Sequence, residues 1–138
     1  ISRNYQRKSL IAVDVLDMAP IPGVHFIKGD INSLDDIGEI KGKISKVDLV
    51  LSDIAPNICG IDDVDQANFI EILQSISRIC QNLLKNNGVL VMKFFIGLSY
   101  DYAREELNKS FNKVSSYKPD SSRSRSNEVF FICNGYNH

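Results

Sequence analysis

The composition of this 138-residue chain limits what it can be. A hydrophobic content of 43% supports one core, so we expect a single domain over residues 1–138. The net charge of −1 excludes a strong field for polyanions, and any nucleic-acid site must therefore be a local patch. Three cysteines without a Cys-x-x-Cys pair argue against a disulfide framework, and two histidines leave little material for a zinc site.

The first half of the chain alternates apolar runs with polar breaks. It begins at Ile1 rather than Met and reaches an apolar strand after a few residues, as in a domain entered part-way through. The pattern predicts strands over residues 8–14 and 24–30, separated by a loop rich in proline. A short helix capped by serine is expected over residues 33–40, and a strand over residues 47–52.

The second half continues the same alternation. Apolar residues recur with a period of 3.6 over residues 65–84, which predicts an amphipathic helix, and residues 89–95 form a continuous apolar strand. A helix over residues 100–110 and two late strands over residues 114–117 and 128–133 complete the chain. Strands alternating with helices indicate an α/β fold, with a mostly parallel sheet covered by helices on both faces.

Charged residues mark the ends of these predicted strands. Asp14 and Asp30 close the first two strands, Asp53 follows the third, and Lys93 lies near the end of the fourth. Ligands of such sheets bind outside the carboxyl ends of the strands. Glu128 begins the last strand, so two acids and a lysine form either a catalytic set or a buried ion network.

Asp14 and Asp30 fit a nucleoside site as well as a structural role. An acid at the end of a strand in a nucleotide-binding sheet commonly accepts hydrogen bonds from ribose hydroxyls, and a second can receive the amine of adenine. The structural explanation is that each aspartate only caps a turn after its strand. A glycine-rich first turn, which such a site also needs, is not found in the chain.

Lys93 is open to two interpretations of the same kind. Its stem can lie along the sheet while the ammonium group reaches water. Alternatively, Asp53 and Glu128 orient it toward a substrate hydroxyl. A lysine acts as a base only when its pKa falls from about 10.4 toward neutrality, and nearby acids oppose that fall. A second cation is therefore needed, and no candidate for it is evident in the sequence.

The segment over residues 118–125 combines cations with small hydroxyl residues. Lys118, Arg123 and Arg125 suit contacts with phosphate groups, although a solvated loop is the common explanation for such a stretch. Its position directly before Glu128 favours a role in binding RNA. Among the cysteines, Cys80 and Cys133 are expected in the core.

Two longer motifs give these residues a family resemblance. The element Ser-Asp-Ile-Ala-Pro-Asn over residues 52–57 and the element Lys-Pro-Asp-Ser-Ser-Arg-Ser-Arg-Ser-Asn-Glu-Val over residues 118–129 are long and specific. Together with Asp14, Asp30 and Lys93 they resemble the FtsJ (RrmJ) family of S-adenosylmethionine-dependent RNA ribose 2′-O-methyltransferases. The second motif is similar to the ribosomal RNA branch rather than the transfer RNA branch.

The resemblance implies a Rossmann-like methyltransferase fold and a role for each charged residue. Asp53, Lys93 and Glu128 would be three members of a lysine, aspartate, lysine, glutamate tetrad, with Lys93 as the proton acceptor. Asp14, Asp30 and also Asp53 would bind S-adenosylmethionine, and no metal is required. The first strand, the glycine-rich loop and the first catalytic lysine of the family would precede Ile1.

The resemblance also sets expectations about partners and leaves alternatives open. The expected substrate is ribosomal RNA, most simply of the large subunit, and we expect a soluble monomer with no membrane partner and no secretion. It would be cytoplasmic in a bacterium, and mitochondrial, in another organelle or nucleolar in a eukaryote. The alternatives are a transfer RNA 2′-O-methyltransferase, an inactive RNA-binding scaffold of the same fold, and, more weakly, a nicotinamide-binding dehydrogenase domain.

Overall fold

The computed structural model describes residues 10–97, 99–120 and 127–138. The chain divides into two compact units, residues 1–43 and 44–138, each of which is described by itself. The prediction of a single domain stays a prediction.

The first unit contains a parallel pair of strands and one helix. Strand β1, Leu10–Asp14, pairs in parallel with β2, Val24–Lys28, and helix α1 spans Leu34–Lys43. The predicted serine cap is confirmed, because the Ser33 hydroxyl accepts a hydrogen bond from the Asp36 N–H at 3.3 Å. Strand β2 ends two residues earlier than the sequence pattern indicates.

The second unit contains a four-stranded sheet and two helices. In chain order its elements are β3 Val47–Ser52, α2 Asp62–Leu83, β4 Leu84–Phe95, α3 Tyr100–Ser110, β5 Phe111–Tyr117 and β6 Glu128–Tyr136. The strands lie in the order β3, β4, β6, β5. The bounds of β3 and α3 match the sequence prediction, whereas β4 begins five residues early because Leu84 still pairs with Val47.

The prediction of a mostly parallel sheet is wrong for this unit. Strand β3 pairs in parallel with β4, but β6 runs antiparallel to both β4 and β5, so the sheet is mixed. Apolar periodicity reports which side chains are buried and carries no information on strand direction. Since β4 and β5 both oppose β6, their carboxyl ends and the amino end of β6 lie at one edge of the sheet.

The helices of this unit also differ from the expected arrangement. Phe69 of α2 contacts Phe94, and Tyr100 of α3 stacks on Phe131, whose ring also contacts Phe94. Both helices therefore pack on the sheet face that carries these buried rings. On the opposite face the side chains of Leu49 and Leu51 are exposed, so among the described elements of this unit helices cover one face and not both.

The core of the second unit lies between the two helices and the sheet. Its largest fully buried side chains come from α2, β4 and β6, and they include Cys80, Leu90, Phe94, Phe131 and Cys133. Burial raises the pKa of both thiols to about 12, which keeps them protonated and unreactive at neutral pH. The prediction that Cys80 and Cys133 are core residues is confirmed.

Candidate active site

The sheet of the second unit brings Asp53 and Lys93 into direct contact. Ser52 is in register with Met92, so the residues that follow them lie side by side at the end of a parallel strand pair. Lys93 Nζ lies 2.8 Å from Asp53 Oδ1. The lysine side chain is only 14% exposed, whereas the aspartate is 82% exposed. The predicted ion pair therefore forms, with its acid open to solvent and its lysine held by the sheet.

Glu128 joins this pair through the register of the next strand. Lys93 is opposite Phe130 in the antiparallel ladder, and Phe95 is opposite Glu128. Opposed residues project to the same face, and so do residues two apart along a strand. Lys93 and Glu128 are therefore diagonal neighbours on one face. Their backbone positions on the two strands are about 7–8 Å apart, a distance that two long side chains can span.

Asp14 and Asp30 come together separately, in the first unit. The carbonyl oxygen of Asp14 accepts a hydrogen bond from the Gly29 N–H at 3.0 Å, which joins the ends of the two parallel strands. Asp14 Oδ1 accepts from the Leu16 N–H at 2.9 Å, and Asp30 Oδ1 accepts from the Asn32 N–H at 2.8 Å. Each aspartate thus makes the turn-capping contact that the structural explanation requires.

These contacts leave acceptor sites on both carboxylates. An ionised carboxylate has about four lone-pair sites, and each turn uses one of them. Both residues are exposed and adjacent at the carboxyl edge of their strand pair. The turn-capping role therefore does not exclude the nucleoside-binding role of Asp14 and Asp30, which stays a prediction.

The basic segment before Glu128 is only partly described. Lys118 directly follows β5 and therefore lies at the same edge as Lys93. Arg123 and Arg125 lie outside the described residues. Among the described residues there is no group of three His, Cys, Asp or Glu side chains that could hold a metal ion. No helix in the described part of the chain has the length and apolar character needed to cross a membrane.

Sequence reasoning missed an ordered loop after Asp53. The Asp65 carboxylate accepts hydrogen bonds from the Cys59 N–H at 2.9 Å and the Gly60 N–H at 3.0 Å. The Cys59 N–H is the main cause that holds the pKa of Asp65 below its usual range. The sequence signal for this loop was Asp65 itself, because an acid in the first turn of a helix can accept hydrogen bonds from the amides of the preceding loop. Asp65 therefore ties the loop that carries the Pro-Asn motif to the helix.

A cavity also escaped prediction. About 200 Å³ in volume, it lies between the start of α2 and the loop after β4, where Asp65, Gln66, Phe69, Phe95 and Ser99 are among its lining residues. The Phe69 ring lies 5.3 Å from that of Phe95. Phe95, which lines this cavity, is two residues from Lys93 and projects to the same face of β4.

The deciding comparison is with protein-family models. The model described as FtsJ-like methyltransferase matches residues 1–136 of the chain. The chain belongs to the FtsJ-like methyltransferase family. The resemblance drawn from the Asp53 and Lys118 motifs is thereby confirmed.

A relative of this FtsJ-like chain is named as a ribosomal RNA methyltransferase. The chain is 39% identical over 125 residues to the ribosomal RNA large subunit methyltransferase E of Methylobacillus flagellatus. The match covers 89% of the chain and 60% of that relative, so the chain spans less than two thirds of the relative's length.

Solved structures agree on the fold. A protein assigned as a ribosomal RNA methyltransferase from Plasmodium falciparum is 28% identical, with a TM-score of 0.77 over 93% of this chain and 72% of that one. SMU.1697c from Streptococcus mutans, assigned as a methyltransferase and solved with SAH, is 15% identical with a TM-score of 0.53 over 91% and 71%. The second likeness shows the fold alone, and the fold is of the Rossmann-like methyltransferase type with mixed sheets.

Proposed function

We propose that the FtsJ-like chain is part of an enzyme that transfers a methyl group from S-adenosylmethionine to a ribose 2′-oxygen of large-subunit ribosomal RNA. The observation that carries this proposal is the contact between Lys93 Nζ and Asp53, with Glu128 on the same sheet face. The name of the Methylobacillus flagellatus relative supports the choice of ribosomal RNA. Since the chain spans 60% of that relative, every test below uses the full-length protein.

In the proposed reaction the chain positions two partners and moves one proton. Bound S-adenosylmethionine supplies an electrophilic methyl group, whose bond to sulfur breaks as the bond to the 2′-oxygen forms. Asp14 and Asp30 hold its adenosine part. Lys93 Nζ accepts the proton of the 2′-hydroxyl, and Asp53 and Glu128 fix the direction in which Lys93 points. Most of the rate gain comes from holding the two partners in line.

The contact with Asp53 places a negative charge 2.8 Å from Lys93 Nζ. The family tetrad to which we assign these residues contains another lysine. The proposal therefore includes a second cation at the site, which would balance the charge of the acid.

Replacing Lys93 tests the proposal directly. With an unmodified transcript of large-subunit ribosomal RNA, the Lys93→Ala enzyme should lose methyl transfer by about 100-fold or more, because a positioned acid–base group contributes that much. Transfer is measured with labelled methyl groups, and nucleoside mass spectrometry identifies and maps the 2′-O-methyl product. The matched control is Lys85→Ala on the same strand, whose lysine pairs with Asp48 at 2.8 Å and should be dispensable.

Three outcomes would contradict parts of the proposal. Lys93→Arg keeps a cation that cannot act as a base, so wild-type transfer in that variant would overturn the role of proton acceptor. A wild-type enzyme that methylates transfer RNA and not ribosomal RNA would contradict the assignment of ribosomal RNA as the substrate. A wild-type protein that binds ribosomal RNA but transfers no methyl group to it would point to an inactive scaffold.

A further inference from the structure

We propose that Tyr117 is a base-stacking residue, which holds an RNA base within one nucleotide of the ribose that reacts at Lys93. This inference rests on the proposed function and adds a residue that contacts the substrate. Three side chains form a row across strands β4, β6 and β5. Phe130 is in register with Lys93 on one side and with Tyr117 on the other.

The register places all three side chains on the same face of the sheet. Directly opposed residues of antiparallel strands project to one face, so Lys93, Phe130 and Tyr117 form a line across β4, β6 and β5. Neighbouring strands lie about 4.8 Å apart, and the backbones of Lys93 and Tyr117 are therefore about 10 Å apart. That span matches a ribose at Lys93 with its own or an adjacent base at Tyr117.

The exposure of Tyr117 suits a stacking surface. Tyr117 is 53% exposed, whereas Phe130 between it and Lys93 is half-buried. The helices of this unit pack on the opposite face, through Phe94 and Phe131, and leave the Tyr117 ring open. An open aromatic ring binds any base by its face, a contact common in proteins that hold single-stranded RNA.

The position of Tyr117 along the chain favours RNA over a protein partner. It is the last residue of β5, at the sheet edge that carries the carboxyl end of β4 and Glu128. Lys118 follows at once, so a cation suited to phosphate stands next to the ring. An aromatic surface with an adjacent cation and a catalytic lysine two strands away fits one nucleotide unit: base, phosphate and ribose.

Four substitutions at one position separate stacking from other roles. Tyr117→Phe and Tyr117→Trp keep a flat ring and should bind the transcript within about two-fold of wild type. Tyr117→Leu and Tyr117→Ala lose the ring and should weaken binding about ten-fold or more, as removal of a stacking partner does. Binding is measured by filter retention of the ribosomal RNA transcript. The control is Tyr102→Ala, an exposed tyrosine on α3 that should have no effect.

Kinetics and stability complete the test. In Tyr117→Ala the KM for RNA should rise by the same factor as the dissociation constant, while the KM for S-adenosylmethionine and the melting temperature stay near wild type. Equal binding by the Leu and Phe variants would overturn stacking, since leucine offers similar apolar area without a flat ring. A loss of melting temperature with unchanged RNA binding would show a structural role only.

The test distinguishes this inference from the proposed function. Filter retention measures RNA binding and needs no methyl transfer. The dependence of RNA binding on an aromatic ring at position 117 can therefore be tested even if the wild-type protein has no transferase activity. Conversely, if the enzyme is active and Tyr117→Ala does not change its affinity for RNA, the stacking role is refuted and the 2′-O-methylation proposal is unaffected.

Discussion

At the scale of single residues, the contact between Asp53 and Lys93 couples an exposed acid to a lysine fixed by the sheet. Ion pairs with one exposed partner contribute little to stability, typically about 0–1 kcal/mol, because water screens the attraction. Lys93 owes its position mainly to strand β4, in which its neighbours Met92 and Phe94 are buried. The pair is therefore better suited to orienting the lysine than to holding the fold together.

Replacing Asp53 should separate these two effects. We expect Asp53→Asn to lower kcat about ten-fold or more through loss of orientation, while the free energy of unfolding falls by about 1 kcal/mol or less. Methyl transfer and urea unfolding measure the two quantities. Asp48→Asn breaks the ion pair between Asp48 of β3 and Lys85 of β4 and should leave kcat unchanged. The orienting role would be contradicted if Asp53→Asn lowered the free energy of unfolding by more than it raised the activation free energy calculated from kcat.

At the scale of elements, strand β6 organises the site. It lies between β4 and β5 and sets the face on which Glu128 and Phe130 project. Near its other end, Gly135 has a φ of 74°, a left-handed conformation that costs residues with a Cβ about 1–3 kcal/mol. A Cβ at Gly135 would also lie 2.6 Å from Asn112 Nδ2. Asn112 is held in turn by a hydrogen bond from Asn137.

Two glycine substitutions should reveal this steric contribution. Gly135→Ala should destabilise the protein by about 2 kcal/mol or more, because backbone strain and the contact with Asn112 both oppose the new methyl group. Gly60→Ala is the comparison: its φ is 83°, but a Cβ there meets no atom within 4 Å. Urea unfolding should show the larger loss for Gly135→Ala. Equal losses would mean that Asn112 moves aside freely.

Much at this scale follows from the sequence, and the exceptions have a clear cause. The 3.6 period over residues 65–84 defined most of α2, and the apolar run followed by an acid defined β3. The start of β4 was missed because Asn87 adopts a φ of 62° inside the strand, and pairing resumes on both sides of it. A partner strand decided that boundary, and local propensity could not reveal it.

At the scale of the whole molecule, charge decides how RNA can be bound. The net charge of −1 gives no long-range attraction, so affinity must come from local cations and from direct contacts with bases. Lys118 begins the basic segment that also contains Arg123 and Arg125. Binding should therefore depend on salt through a few cations and retain a part that salt does not affect.

The salt dependence can be assigned to the basic segment. Removing two phosphate contacts from single-stranded RNA lowers the slope of log affinity against log salt by about 1.4. We expect that change in the double variant Arg123→Ala with Arg125→Ala, measured by filter retention between low and moderate salt. Arg104→Ala with Lys109→Ala removes the same charge from α3 and should leave the slope unchanged. Equal changes in both double variants would show a diffuse charge effect instead.

The sequence by itself determined the family, the alternation of strands and helices, and the placement of Asp14, Asp30, Asp53 and Lys93 at strand ends. These features are local, since they depend on residues a few positions apart. Only the tertiary structure decided that β6 runs antiparallel, that Lys93 contacts Asp53, and that Tyr117 shares a row with Lys93. Such facts depend on which backbone hydrogen bonds form between distant segments, and the local sequence of one strand does not identify its partner strand.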